Sequence, residues 1–160
     1  MSKRNQFLAQ FGHADHINTA LDDTDWHTRR DAMRNPNASP ENLHKGLTDN
    51  VNDVRRFAIS HTNIDTHHID KALSDTYHVV RMRAVNNPLT TKDQLTKAMK
   101  DVDKSVRECA VRHKNANSEV LDKGIDDKSA SVRAATMEHP DVTKEQRLKY
   151  YNKVYQGKNE

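Results

Sequence analysis

Two columns of opposite charge carry most of the chemistry this sequence offers. Aspartate stands at 23, 49, 75, 101 and 127, and arginine at 29, 55, 81, 107 and 133. Each Arg follows its Asp by six residues, and the pair recurs every 26. A guanidinium and a carboxylate in fixed register can form a two-pronged, charge-assisted pair. The columns could therefore be a binding track, or a ladder in which Asp accepts from loop amides and Arg bridges to the neighbouring repeat's Asp. All copies share the problem of stacking, whereas a ligand need not touch all of them. Identity in every copy predicts the ladder.

The other reactive types give less. Lysines at 45, 71, 97, 123 and 149 could follow a phosphate backbone. Four residues earlier stand Glu41, His67, Asp93, Glu119 and Glu145, so in four copies an acid precedes the base at helical i,i+4 spacing. A self-neutralised, solvated face is expected. Among ten histidines, His13 with His16, and His67 with His68, lack companions at a recognised ligand spacing. His61, His113 and His139 share a column with Asn35 and Asn87, where a polar side chain can tie a turn. No metal site is expected. Cys109 has no paired base, and a chain with four glycines shows no nucleophile elbow, phosphate loop or glycine-rich cofactor turn. The expectation is a non-enzyme without cofactor or small-molecule substrate.

Short helices must position these columns. The clearest copy reads Leu47-Thr48-Asp49, a spacer, then Val54-Arg55-Arg56-Phe57-Ala58-Ile59. The same text returns from Leu73, Met99 and Ile125, and an earlier copy starts at Leu21. A fixed period of this size marks stacked repeats. Ile17, Leu43, Ile69, Leu95 and Leu121 form one column. Ala20, Gly46, Ala72, Ala98 and Gly124 form the next, and Leu21, Leu47, Leu73, Met99 and Ile125 a third. These are positions i, i+3 and i+4 of one face of a first helix, helix A, near 40–48 in the second copy. The small central residue lets a neighbouring helix approach. Ser39, Asp65, Thr91, Asn117 and Thr143 are its N-caps, and Pro40 sits where proline fits. Thr91 with Gln94, and Thr143 with Gln146, read as capping boxes.

Helix B carries Val-Arg-x-x-Ala, near 52–60. It ends at the Asn/His column, and proline follows in three copies at 36, 88 and 140, which disfavours helix for the residue before it. Both helices are too short to persist alone, so stacking must hold them. A hydrophobic fraction of 34% is low for one central core but suits repeats that bury modest faces against neighbours. Phe7, Leu8 and Phe11 predict a capping helix over 1–13. Five repeats fill 14–143, and 144–160 reads as a C-terminal capping helix, with Tyr150, Tyr151, Val154 and Tyr155, and a frayed tail. The fold class is thus all-α, a single α-solenoid. One cysteine excludes an internal disulfide and suits a reducing compartment. No apolar run approaches membrane-spanning length and the start lacks a secretion core, so a cytoplasmic protein away from membranes is expected.

Asp, then Val-Arg-x-x-Ala, then Asn-Pro-Asn, then Leu-x-x-Ala/Gly-Leu resembles the leucine-rich repeat variant family over about 14–147, and is similar to HEAT repeats in the Asp, Val and Arg spacing of the second helix. The resemblance implies a right-handed superhelix of paired short helices, one of which can be 3₁₀. Some members of the family carry an iron–sulfur cluster on an N-terminal cysteine group, a feature absent from a chain whose one cysteine is Cys109. Neither family has a single shared activity.

Function must lie in residues that differ between copies. The loop into helix B reads Asp25-Trp26-His27, Val51-Asn52-Asp53 and Tyr77-His78-Val79, then Asp103-Lys104-Ser105 and Ser129-Ala130-Ser131. Apolar bulk is confined to the first three. The exposed columns of helix B hold Arg30 and Arg34, Arg56 and Ser60, Met82 and Asn86, Glu108 and Arg112, Ala134 and Glu138, with Arg83 nearby. Trp26, Arg30, Arg34, Val51, Arg56, Tyr77, His78, Met82 and Arg83 are the candidate partner-binding residues, because Trp, Tyr and Arg are enriched at interface hot spots. The competing view is that Trp26 and Tyr77 fold back over the repeat ends. A protein-binding module is expected, acting alone as an adaptor or as an inhibitor that occludes another protein's site. The alternative is nucleic-acid binding on the Arg-rich N-terminal repeats, against which stand a net charge of only +3 and the acid-paired lysines.

Overall fold

Five helices A start where their expected cap residues stand. Ser39 Oγ accepts from the Asn42 N–H while the Asn42 side chain accepts from the Ser39 N–H, and the same reciprocal box closes at Thr91 with Gln94 and Thr143 with Gln146. Asp65 forms one with His68, and Asn117 accepts from the Val120 N–H. A computed structural model describes residues 12–156, and all five expected caps are in place.

The described residues hold eleven α-helices and no strand. Helices A are α1 (Ala14–Leu21), α3 (Pro40–Gly46), α5 (Thr66–Ala72), α7 (Lys92–Ala98), α9 (Ser118–Ile125) and α11 (Lys144–Tyr151). Helices B are α2 (Trp26–Ala32), α4 (Asn52–Ile59), α6 (His78–Val85), α8 (Lys104–Arg112) and α10 (Ala130–Met137). Both kinds are α-helical, with no 3₁₀ member among the described residues. A π-helical turn, Asn152–Gln156, continues α11. Of the expected helix over 1–13, residues 1–11, with Phe7, Leu8 and Phe11, lie outside the described residues, as does the tail from Gly157; Gly12 and His13 are not helical. No helix of the described residues is long and apolar enough to cross a membrane.

The chain divides into two compact units, Met1–Leu89 and Thr90–Glu160. In the first, Ile17, Leu43 and Ile69 from helices A meet Val54, Ala58, Val80 and Ala84 from helices B, all fully buried. In the second, Leu95, Leu121 and Ile125 stand with Val106, Ala110, Val111 and Val132, likewise buried. The small column is a close-approach column. A Cβ added at Gly46 would stand 2.2 Å from Met33 Sδ and 3.0 Å from the Ala58 Cβ; at Gly124 it would stand 2.2 Å from Thr136 Oγ1 and 2.7 Å from Val111 Cγ1. Real Cβ atoms do not sit at 2.2 Å, so each glycine admits a bulkier neighbour from an adjacent helix.

Candidate functional site

Three polar ladders tie the repeats, and their partners decide which residues remain for function. The first is the Asp/Arg ladder. Arg29 Nε donates to Asp49 Oδ2 at 2.6 Å and Nη2 to Oδ1 at 3.1 Å. Arg55 clasps Asp75 at 2.6 and 2.9 Å, and Arg107 clasps Asp127 at the same two distances. The third arm of each, Nη1, donates to the carbonyl of its own repeat's Asp at 2.8–2.9 Å. Arg81 and Arg133 make that bond too, to Asp75 and Asp127. Each Asp also accepts from the amide two residues on, at 2.7–2.8 Å. Arg55 and Arg107 are 8% and 4% exposed. The polar arms of Arg55 and Arg107 are thus bound within the chain, tying each repeat to the next. The hydrogen bond to the carboxylate raises Arg29, Arg55 and Arg107 above the ordinary arginine value. Burial pulls the Asp127 carboxyl up, but hydrogen bonds from Arg107 and the Ser129 amide outweigh it and hold it below the usual range.

The second ladder runs through the Asn/His column. Asn35 Oδ1 accepts from the Asn37 N–H at 2.9 Å, and Asn87 Oδ1 accepts likewise from Leu89. His61, His113 and His139 use Nδ1 for the same bond, at 3.0, 3.1 and 3.2 Å. The far nitrogen then points at the preceding turn. Asn35 Nδ2 donates to the Gly12 carbonyl and His61 Nε2 to the Asn35 carbonyl, both at 2.9 Å; His139 Nε2 reaches the His113 carbonyl at 3.3 Å. An Nδ1 that accepts leaves the proton on Nε2, so donor and acceptor fall where an amide puts them. That is why Asn and His interchange here. The turn tie was expected from sequence; the reach to the preceding repeat was not.

The third ladder comes from the capping residue inside helix A. Asn42 Nδ2 donates to Asn18 Oδ1 at 2.6 Å, His68 Nε2 to the Pro40 carbonyl at 2.9 Å, and Gln146 Nε2 to Asp122 Oδ1 at 2.8 Å. Among the described residues no buried side-chain polar atom lacks a partner, and no three His, Cys, Asp or Glu are grouped to hold a metal ion.

The lysine column differs from expectation. Lys123 pairs with Glu119 on its own helix, as the i,i+4 spacing predicts. Lys45 and Lys149 instead reach back 23 residues to Asp22 and Asp126, both at 2.5 Å. Glu41 and Glu145 sit in first turns, where their own amides, then the Ser39 and Thr143 hydroxyls, hold them below the usual carboxylate range. Asp126 is itself lowered, first by Lys149; Glu119 stands in the same first-turn place and still pairs with Lys123, where the residue 23 earlier is Lys100 and no aspartate competes.

What remains is a patch on α2 and α4. The Trp26 ring stacks on His27 with centroids 3.8 Å apart, and the Arg30 guanidinium lies 5.4 Å from the Trp26 ring. Arg34 and Arg56 lie 5.5 and 4.6 Å from the Phe57 ring. Arg30 also donates to Asp31 at 2.8 and 3.0 Å, and Arg56 pairs with Asp53 at 3.0 Å. Of the candidate residues, Trp26, Arg30, Arg34 and Arg56 are thus brought together. Val51 and Tyr77 are half-buried against the core of their unit, as are Trp26 and Phe57. These side chains do fold back, and Trp26 does so while still carrying Arg30. His78 lies against the Tyr77 ring at 5.2 Å. Met82 is half-buried and Arg83 exposed on α6; no ring or ion contact among the described residues joins either to the patch. Sequence reasoning missed Phe57 and Asp31. The signal was there: one column sets aromatic, acid and arginine side by side with arginines at 30, 34 and 56.

The fold is that of a helical repeat protein. No family model matches the chain, and no curated protein matches it. Among solved structures it is similar to "a leucine-rich repeat variant with a novel repetitive protein structural motif", with a TM-score of 0.58 over 94% of this chain and 80% of that one, at 17% identity. That likeness concerns the fold alone.

Proposed function

We propose that the chain is a protein-binding repeat module whose partner docks on the α2–α4 patch. It acts either as an adaptor that bridges proteins or as an inhibitor that covers a site on one. The supporting observation is the Phe57 ring with two guanidinium groups within 5.5 Å. Half-buried aromatics hold these arginines in place, so less side-chain freedom is lost on binding. Asp31 and Asp53 offset part of their charge, which weakens attraction to phosphate and leaves a surface of mixed character.

The test is cross-linking capture from a lysate of the source cell, after nuclease treatment, with the wild type and with Trp26→Ala and Phe57→Ala. A protein captured by the wild type and lost in both variants, with helicity unchanged, is the expected result. Capture indifferent to both substitutions would refute the patch. A duplex oligonucleotide bound below about a micromolar at physiological salt, with a steep salt slope shared evenly among the arginines, would replace the protein with nucleic acid.

A further inference from the structure

We infer that Lys71, with Thr48, Ser74 and Thr76 around it, forms a receptor for one carboxylate, supplied by an Asp or Glu side chain of a bound protein. The ladder column itself supplies the template. Lys45 and Lys149 each hold an aspartate 23 residues earlier at 2.5 Å, and Lys123 holds Glu119. At Lys71 both sources of acid are missing: the residue 23 earlier is Thr48, and the residue four earlier is His67. Lys71 is nonetheless half-buried, and it makes no ion pair or hydrogen bond among the described residues.

The space is open. A cleft of about 400 Å³ is lined by Thr48, Arg55, Lys71, Ser74, Asp75 and Thr76, with Asp49 and Leu47 at its edge. Its other charges are spoken for. Arg55 is bound by Asp75, by the Asp49 carbonyl and by Asn52. Asp75 takes Arg55 and the Tyr77 amide, and Asp49 takes Arg29 and the Val51 amide. One positive charge is left without a counter-charge, in a cleft whose remaining rim bears the hydroxyls of Ser74 and Thr76, and that of Thr48, which donates its proton to the Lys45 carbonyl at 2.6 Å. A single negative charge completes it as Asp22 and Asp126 complete the sister sites. A phosphate brings nearly two and would face Asp49 and Asp75 with the excess. That the carboxylate comes from a protein rests on the function proposed above; the site itself does not.

Two measurements on the intact chain test this. In the first, Thr48→Asp supplies the missing acid. It is expected to raise the melting temperature in the wild-type background and to give no rise with Lys71→Met. Equal effects in both backgrounds would mean that Lys71 does not face this place. In the second, an aspartate hexapeptide is titrated at low salt while backbone amides are followed by NMR. Shifts at Thr48, Ser74 and Thr76 are expected, weakened about threefold by Lys71→Met, the size of an exposed ion pair. Thr48→Asp should abolish them and the surface control Lys128→Met should leave them. Equal weakening by Lys71→Met and Lys128→Met, or shifts that survive Thr48→Asp, would overturn the receptor. Inorganic phosphate shifting the same amides at lower concentration would overturn the choice of carboxylate. Neither measurement touches Trp26 or Phe57, so failure here leaves the α2–α4 patch standing, and failure there leaves this site standing.

Discussion

Arg34 and Arg112 occupy the same place in their repeats, at the end of helix B, and their side chains are equally exposed at 48%. Their neighbours differ. Arg34 lies 5.5 Å from the Phe57 ring, with Asp31 only at 3.9 Å. Arg112 donates to Glu138 at 2.5 Å and to Glu108 at 3.3 Å, and hydrogen bonding to Glu138 raises it above the ordinary arginine value. In the second unit the B-helix surface supplies its own counter-charges. In the first, rings stand beside the acids: Arg30 and Arg56 keep Asp31 and Asp53, and Arg34 has the Phe57 ring with no close carboxylate. Exposure alone would not separate the two; what lies under the charge does.

If that contrast is confined to the surface, substitutions in the shared skeleton must act alike in both units. The largest effect is expected from overpacking. Ala84 and Ala110 are fully buried equivalents, so Ala84→Phe and Ala110→Phe should each cost about 3 kcal/mol or fail to fold, read by urea titration. A mild effect at one alone would show that the cores, too, are unlike. Next come the ladder residues. Asp75→Ala and Asp127→Ala leave Arg55 and Arg107 buried without their carboxylate, for about 1–3 kcal/mol each.

On the surface the units should diverge. Arg34→Ala is expected to weaken partner binding by about 1–2 kcal/mol, with Arg112→Ala neutral, measured by calorimetry on the captured partner. Equal losses would erase the distinction. Acid should be the gentlest probe near neutrality and sharpen below it. Asp25, Asp65, Asp126 and Asp127 are held low in the folded chain, Asp65 by the His68 amide first and Asp25 by the His27 amide first. A depressed folded pKa adds stability that is present above the unfolded value near 3.9 and is lost as pH falls through the folded one. These four carboxylates should therefore make the melting temperature drop below about pH 4. Last, Lys123→Ala should cost only about 0.3–0.5 kcal/mol, the worth of its helical pair with Glu119.

Stacking is written in the chain with redundancy, and so it was legible. The Asp/Arg columns appear in every copy, the Val-Arg-x-x-Ala text in three with a threonine exchanged at Thr28 and Thr136 in the others, and side-chain caps on five of the helices A. Choices between equally spaced partners were not legible. Glu41 and Asp22 both stand at spacings that could serve Lys45, and the pairing goes to Asp22; where the residue 23 earlier is Lys100, Lys123 keeps Glu119. Nor could the sequence say that Phe57 would collect arginines from two helices, because that depends on how neighbouring B helices face each other. Irregular columns were visible as letters, Thr48 with Ser74 and Lys100 between two aspartates, and Phe57 among an acid, an arginine, a cysteine and an alanine. Their meaning needed distances.

The glycines of the small column have a consequence for the order of the parts. Gly46 makes room for Met33, and Gly124 for Thr136 and Val111. Where the column holds alanine, at 20, 72 and 98, a methyl group stands in that place. Each junction is thus keyed to its own pair of residues. A chain in which the 26-residue segments were permuted would set an alanine methyl against Thr136 or the Met33 sulfur. The repeats look interchangeable as text, yet as solid parts two of their junctions have room for glycine alone.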